Sequence, residues 1–231
     1  MLVVGVDGCR GGWIAAAVDT AGATWAARVV PDFAALLAAF PDAAAIAVDI
    51  PIGLPADGAR ACDRLARARL GPRRGSVFLA PSRELLALID ACDYPSANRR
   101  CREALRHGIG AQAFNIHPKI RQVDRLMSPA LQSWVREAHP ELCFATMRGA
   151  PCAWPKRAAA GRSERIGALR AACPWLPGGE VGTVPAGAAP DDLLDALAAA
   201  WTAERVAVGL AVTLPEEAAL DPRGLRMEMV A

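Results

Sequence analysis

Leu2-Val3-Val4-Gly5-Val6-Asp7-Gly8-Cys9-Arg10-Gly11-Gly12-Trp13-Ile14-Ala15-Ala16-Ala17-Val18 opens the chain and decides how the rest is read. Residues 2–7 are a β-branched apolar run, the pattern of a buried strand. The glycine-rich segment Gly8–Gly12 is a turn, and Trp13–Val18 resumes an apolar strand. A third strand over 23–30 follows after another short turn, which predicts antiparallel hairpins. Residues 31–40, after Pro31-Asp32, predict a helix. Ala44-Ala45-Ile46-Ala47-Val48-Asp49 is a further buried strand that meets an acid at its end, as the first does. Hairpins followed by alternating strands and helices predict an α/β fold, a mixed sheet with helices on both faces.

Downstream the pattern is mostly helical. Helices are predicted over 57–70, over 83–107 in two pieces broken near Pro95, over 118–128 and 129–138, and over 161–172. Leu142–Met147 predicts a strand, 73–83 an irregular loop, and 177–189 a Pro/Gly-rich connection. A long helix opens at Pro190 and extends toward Val212, and the tail ends in an alternating, strand-like run up to Val230. No internal repeat or linker divides the chain, so residues 1–231 are read as one domain.

Apolar residues make up 53% and charged residues 22%, the balance of a globular chain. The net charge of +2 carries no global basic field, so nucleic acid would have to meet a local patch. The seven cysteines are odd in number and form no C-x-x-C pair, which argues against a disulfide framework or structural zinc and for reduced thiols in the cytoplasm. The N-terminus meets Asp7 with no basic region before it, unlike a signal peptide. No apolar run approaches a membrane span. Nothing in the sequence predicts the oligomeric state.

The acids carry the functional reading. Asp191 and Asp192 follow Pro190, where a first helical turn favours negative charge, so capping explains them. Asp195 is different: it is the one charge between Asp192 and Glu204 in a helix of Ala, Leu and Trp. A carboxylate there needs a partner if it is buried. Asp7 and Asp49 each end a strand, and ligands of open α/β sheets gather at the carboxyl ends of strands. Each could instead be a turn residue. If their strands are neighbours, and if the long helix packs on the sheet, then Asp7, Asp49, Asp192 and Asp195 converge on a two-metal site for phosphodiester chemistry.

Several longer motifs are similar to one family. They are Gly5–Trp13, Val48-Asp49-Ile50-Pro51-Ile52-Gly53-Leu54-Pro55, Ser76-Val77-Phe78 with Pro81 and Arg83, Lys119-Ile120 with Val123-Asp124, His139-Pro140-Glu141, and Gly224-Leu225-Arg226-Met227-Glu228. Together they resemble the "domain of unknown function 429" family over nearly the whole chain. That family is regarded as RNase H-like nucleases, and Asp192–Ala198 is similar to the D-x-x-D-A-L-A of the last helix in Holliday-junction resolvases of the wider fold. The resemblance implies an RNase H-like fold, Mg²⁺ or Mn²⁺ held by Asp7, Asp49 and Asp192 or Asp195, and a nucleic-acid partner, DNA or RNA. A departure from well-studied nucleases is an inserted helical segment at about 71–140.

Glu141 is a further candidate ligand or proton-transfer group, with a solvent-facing strand start as its plain alternative. His139 reads as structural, and His117 as a weak general-acid candidate. Arg10, Arg73, Arg74, Arg83, Lys119 and Lys156 are the candidate phosphate contacts, Arg10 and Arg83 first because both lie in the motifs. Trp13 and Trp201 belong in the core, and the other tryptophans are too scattered for a base-stacking platform. Two other classes compete. Gly8-x-x-Gly11-Gly12 could cradle phosphate through backbone N–H groups, as in actin-like ATP-dependent phosphotransferases. A non-catalytic nucleic-acid-binding module that keeps the fold is the other.

Overall fold

The computed structural model describes residues 1–106, 108–176 and 181–231. Strands β1 (Leu2–Cys9), β2 (Gly12–Asp19) and β3 (Thr24–Val30) form the two expected hairpins. The first is closed by a two-residue turn, Cys9 facing Gly12. Gly12 has a φ of +127°, and a Cβ there would lie 2.2 Å from the Val30 carbonyl oxygen, so this corner admits only glycine. Helix α1 (Phe33–Ala39) starts on Asp32, whose side chain accepts from the Ala35 N–H at 2.8 Å. It returns the chain to β4 (Ala45–Val48), which lies parallel to β1.

Next come α2 (Ala61–Leu70), a 3-10 segment (Gly71–Ser76), α3 (Arg83–Leu88), α4 (Tyr94–Leu105) and α5 (Ala111–Leu126). Strand β5 (Val135–Glu137) adds parallel to β4, giving the order β3-β2-β1-β4-β5. Helices α6 (Pro140–Arg148), α7 (Ala159–Ala172) and α8 (Pro190–Ala207) follow. A two-stranded ribbon of β6 (Thr213–Leu214) and β7 (Met229–Val230) ends the chain.

The result is a mixed five-stranded sheet between two helical layers. Val3, Ile14, Ala16, Ala45 and Ala47 face one core with α6–α8. Val4, Val6, Trp13, Ile46 and Val48 face the other, with α1 and α3–α5. Burial on both faces explains why β1 and β4 read as continuous apolar runs rather than alternating ones. Trp13 is fully buried and Trp201 nearly so, as expected. Helix α8 lies directly on β1. A Cβ on Gly5 would come within 2.0 Å of the Ala196 carbonyl oxygen and the Ala200 nitrogen, so the contact is backbone on backbone.

Five boundaries depart from the sequence reading; the smallest departure is α2, which begins at Ala61 rather than at 57. The helix expected over 129–138 is a 3-10 turn (Leu131–Ser133) followed by β5, because Val135 and Glu137 are buried against the sheet edge and the backbone pairs with β4. The strand expected over 142–147 is helix α6. Its signals were in the sequence: Pro140 and Glu141 in the first turn, and Gly149 left-handed at the end. The last helix stops at Ala207, where Gly209 has a φ of +72° and the Leu210 N–H donates to the Arg205 carbonyl at 2.8 Å. Helix α5 begins upstream at Ala111 and runs through Pro118, which has no N–H for the Phe114 carbonyl. His117 Nδ1 takes that place at 2.7 Å, so His117 serves the helix. The break in 83–107 falls before Pro95, which sits in the first turn of α4. Residue 107 of that prediction and residues 177–180 of the predicted connection lie outside the described residues.

A buried ion cluster braces the loop after β4. Arg60 pairs with Asp63 at 2.6 Å and with Glu137 of β5 at 2.7 Å, and its Nη1 donates to the Ile52 carbonyl at 3.1 Å. Glu137 also accepts from the Ile52 N–H at 2.6 Å. None of this was legible, because Arg60 and Glu137 sit 77 residues apart. Among the described residues no helix is long and apolar enough to cross a membrane.

Candidate functional site

Parallel pairing of Val6 with Val48 puts the next residues of β1 and β4, Asp7 and Asp49, side by side. The Asp49 N–H donates to the Val6 carbonyl at 2.9 Å and fixes that register. Helix α8 brings Asp195 over the same edge. One carboxylate oxygen from each of Asp7, Asp49 and Asp195 lies within 4.8 Å of the others. Asp7 and Asp195 are buried, and Asp49 faces a cleft of about 840 Å³. The convergence expected of these three is present.

Packing acids this closely disfavours their charged forms. Burial, followed by the charges of Asp49, Asp195 and Asp192, holds the Asp7 carboxyl well above its ordinary range. Burial pushes Asp49 up to about 7, with Glu141 adding to the shift and Lys156 opposing it. Asp195 is pushed up to about 6 by burial, with Asp49 and Glu141 adding and Lys156 again opposing.

Lys156 is the counter-charge within the site. Its Nζ donates to Asp195 Oδ2 at 2.6 Å and lies 3.8 Å from Asp191 Oδ2. Burial alone would lower the ammonium's pKa, but Asp195, Asp7 and Asp191 raise it above its usual value. Asp192 stays outside the trio: its Oδ2 accepts from the Ala189 N–H at 2.8 Å, closing the start of α8 as a capping residue.

Glu141, in the first turn of α6, lines the same cleft. Its Oε1 accepts from Arg165 Nε at 3.1 Å, while its Oε2 is buried without a hydrogen-bond partner among the described residues. Arg73 Nε stands 3.9 Å from that oxygen. His139 also lines the cleft. Its Nε2 lies 3.3 Å from the Ser76 carbonyl, its Nδ1 is buried and unpartnered among the described residues, and burial lowers its pKa. The sequence reading had His139 as structural. Its spacing of two from Glu141, with Pro140 between, was the signal that both side chains could serve one edge.

The basic candidates divide. Arg73, Lys119 and Lys156 line the cleft, and so does Arg157, which was not anticipated. Lys119 donates to the Gly12 carbonyl and covers the Trp13 ring at 4.7 Å. Arg83 lies elsewhere: it grips Asp124 through two bonds of 3.0 Å and also pairs with Asp221, which explains why Arg83 and Asp124 both fall in motifs. Arg10 and Arg74 are exposed and do not line the cleft. Of the inserted segment, the 3-10 turn with Phe78 and the α5 residues Asn115, Ile116 and Lys119 form cleft walls.

Three carboxylates within reach of one point form a hard oxygen set, which suits Mg²⁺ or Mn²⁺. A divalent ion would also offset the burial, and the added like charge, that hold these carboxyls above their ordinary range. A mixed α/β sheet with an aspartate cluster at the carboxyl ends of its central parallel strands thus defines the class of protein. The family described as "Protein of unknown function (DUF429)" matches residues 5–220, and the chain belongs to it. No curated protein and no solved structure matches the chain significantly.

Proposed function

We propose that this protein is a metal-dependent nuclease with an RNase H-like fold, hydrolysing phosphodiester bonds by a two-metal mechanism in the Asp7–Asp49–Asp195 cleft. The observation that carries this reading is the meeting of three aspartates from β1, the end of β4 and α8 within 4.8 Å. The sheet order, antiparallel hairpins followed by parallel strands, also supports it. Asp7, Asp49 and Asp195 would hold Mg²⁺ or Mn²⁺, with Glu141 Oε2, which accepts no hydrogen bond among the described residues and faces Arg73 at 3.9 Å, available to extend the set. Bound there, such an ion supplies Lewis-acid stabilisation of charge developing on phosphate oxygens.

The chain's own groups do the rest. Arg73 and Arg157 offer charge to the phosphate from the cleft wall. Glu141 Oε2 and His139 Nδ1 are buried acceptors on the same wall and can take a proton from an attacking water. Phe78 and Ile116 form an apolar part of the cleft wall.

The glycine-rich turn gives the phosphotransferase reading little support. The Gly8 N–H already donates to Asp7 Oδ1 at 2.6 Å, and the Gly11 N–H to the Gly187 carbonyl at 2.8 Å. A phosphate cradle needs such groups free.

The test is a panel of labelled single-stranded, duplex, hybrid and branched DNA and RNA, incubated with Mg²⁺, Mn²⁺ or EDTA, beside an ATP-hydrolysis control. Cleavage that EDTA and Asp7→Asn both abolish is expected. ATP turnover without cleavage would favour the phosphotransferase, and binding without either activity the non-catalytic module.

A further inference from the structure

We propose that Lys156 is a tethered counter-ion of the aspartate cluster that a divalent cation must displace, so that metal and substrate oxyanion load the cleft cooperatively. The inference rests on the metal-site reading above. Its starting point is that the acids already hold a cation, supplied by the chain itself. The Lys156 ammonium sits 2.6 Å from Asp195 Oδ2. A divalent ion taking Asp195 as a ligand would bind the same carboxylate at roughly 2.0–2.1 Å for Mg²⁺. Two cations on one carboxylate, with little water between them, repel strongly. That repulsion drives the ammonium off Asp195.

The structure lets it leave without moving the backbone. Lys156 sits in the turn before α7, and that turn is pinned on both sides. The Ala153 and Trp154 N–H groups donate to Glu164 at 2.9 and 3.2 Å, and the Trp154 carbonyl accepts from Arg165 at 3.1 Å. The Pro155 carbonyl packs so closely on Gly161 that a Cβ there would lie 2.0 Å from it. Among the described residues the side chain is held at its tip, and it is 38% exposed. It can swing into the cleft that Arg73 and Arg157 also line.

Once released, the ammonium needs an anion. An incoming phosphoryl oxyanion supplies one, and it reduces the penalty for breaking the Asp195 pair. Metal binding then favours oxyanion binding, and by linkage the oxyanion favours the metal to the same degree. Without substrate, Lys156 offsets one charge of the cluster and weakens its hold on free cations.

The test measures Mn²⁺ affinity directly, by paramagnetic resonance of free Mn²⁺, in wild type, Lys156→Met and Lys156→Arg. Sulfate serves as the tetrahedral oxyanion, against chloride at matched ionic strength. In chloride, Lys156→Met should bind Mn²⁺ about tenfold tighter than wild type, within the usual range of site coupling. Sulfate should tighten wild type and Lys156→Arg several-fold and leave Lys156→Met unchanged. Equal or weaker binding by Lys156→Met overturns the inference, and so does a sulfate effect that is the same with and without the lysine. If no form binds Mn²⁺, the aspartates are not a metal centre and both readings fall. If all forms bind alike, only the role of Lys156 falls. Should Lys156→Met not fold, the wild-type sulfate response decides: its absence overturns the coupling.

Discussion

Asp49→Asn should make the metal-free protein more stable at neutral and alkaline pH. The Asp49 carboxylate accepts no hydrogen bond among the described residues, so the amide forfeits no donor, and it gains the chance to donate to Asp7 or Asp195. The groups facing it are Asp7, Asp195, Glu141 and the opposing cation Lys156. Its carboxyl is raised from 3.8 to about 7. At about 1.36 kcal/mol for each pKa unit, that sets a ceiling of about 4 kcal/mol for holding the charge in place. Solvent in the cleft screens part of it, leaving about 1–3 kcal/mol. The sign follows from linkage. A raised carboxyl is protonated in both folded and unfolded chains below 3.8, where it contributes no penalty. As pH climbs, the unfolded chain releases its proton first, and the native state loses stability until pH passes about 7. The variant escapes this loss. Melts in EDTA should show it several degrees above wild type at about pH 8 and level with it near pH 4, given about 2–4 °C per kcal/mol for a chain of this size. Adding Mn²⁺ should raise wild type far more than the variant. A variant that melts below wild type at alkaline pH in EDTA would refute the reasoning and make Asp49 a structural partner.

Two further substitutions probe the frame. Gly5→Ala forces a methyl into the backbone of α8 and should lower stability by at least the 1–3 kcal/mol typical of overpacking, with loss of the Mn²⁺-induced rise in melting temperature. Gly110→Ala, with nothing within 4 Å of its Cβ and away from the cleft, is the control that should leave both nearly unchanged. Arg60→Met strands Asp63 and Glu137 as buried acids and should lower unfolding free energy by about 3–5 kcal/mol in urea titrations. A loss below about 1 kcal/mol would mean that water reaches the cluster.

The hairpins and β4 were legible because local pattern alone specifies them: apolar runs cut by glycine. The meeting of Asp7 with Asp49 followed from the same pattern, since parallel neighbours align their carboxyl ends. Asp195 stood out as a charge with no local reason to be in α8. Strand β5 was not legible, because three residues carry no periodicity and its pairing comes entirely from β4. Helix α6 was misread because Leu142–Met147 is apolar on every side, and its buried position hides the helical period. The cap signals at Pro140, Glu141 and Gly149 outweighed the run. Lys156 was foreseen as a phosphate contact, but its hold on Asp195 spans 39 residues and belongs to tertiary structure alone. Arg83 misled in the opposite direction: its place in a motif reflects an ion pair with Asp124 and Asp221.

The backbone contact between Gly5 and α8 also sets an order of assembly. Asp7 and Asp49 can come together as soon as the first four strands have left the ribosome, and two acids alone leave the pocket incomplete. The third arrives only when α8 closes over β1, after every wall of the cleft has been made. The electrostatic penalty of gathering three carboxylates is likewise deferred to the docking of α8, when the sheet it packs on has already been made.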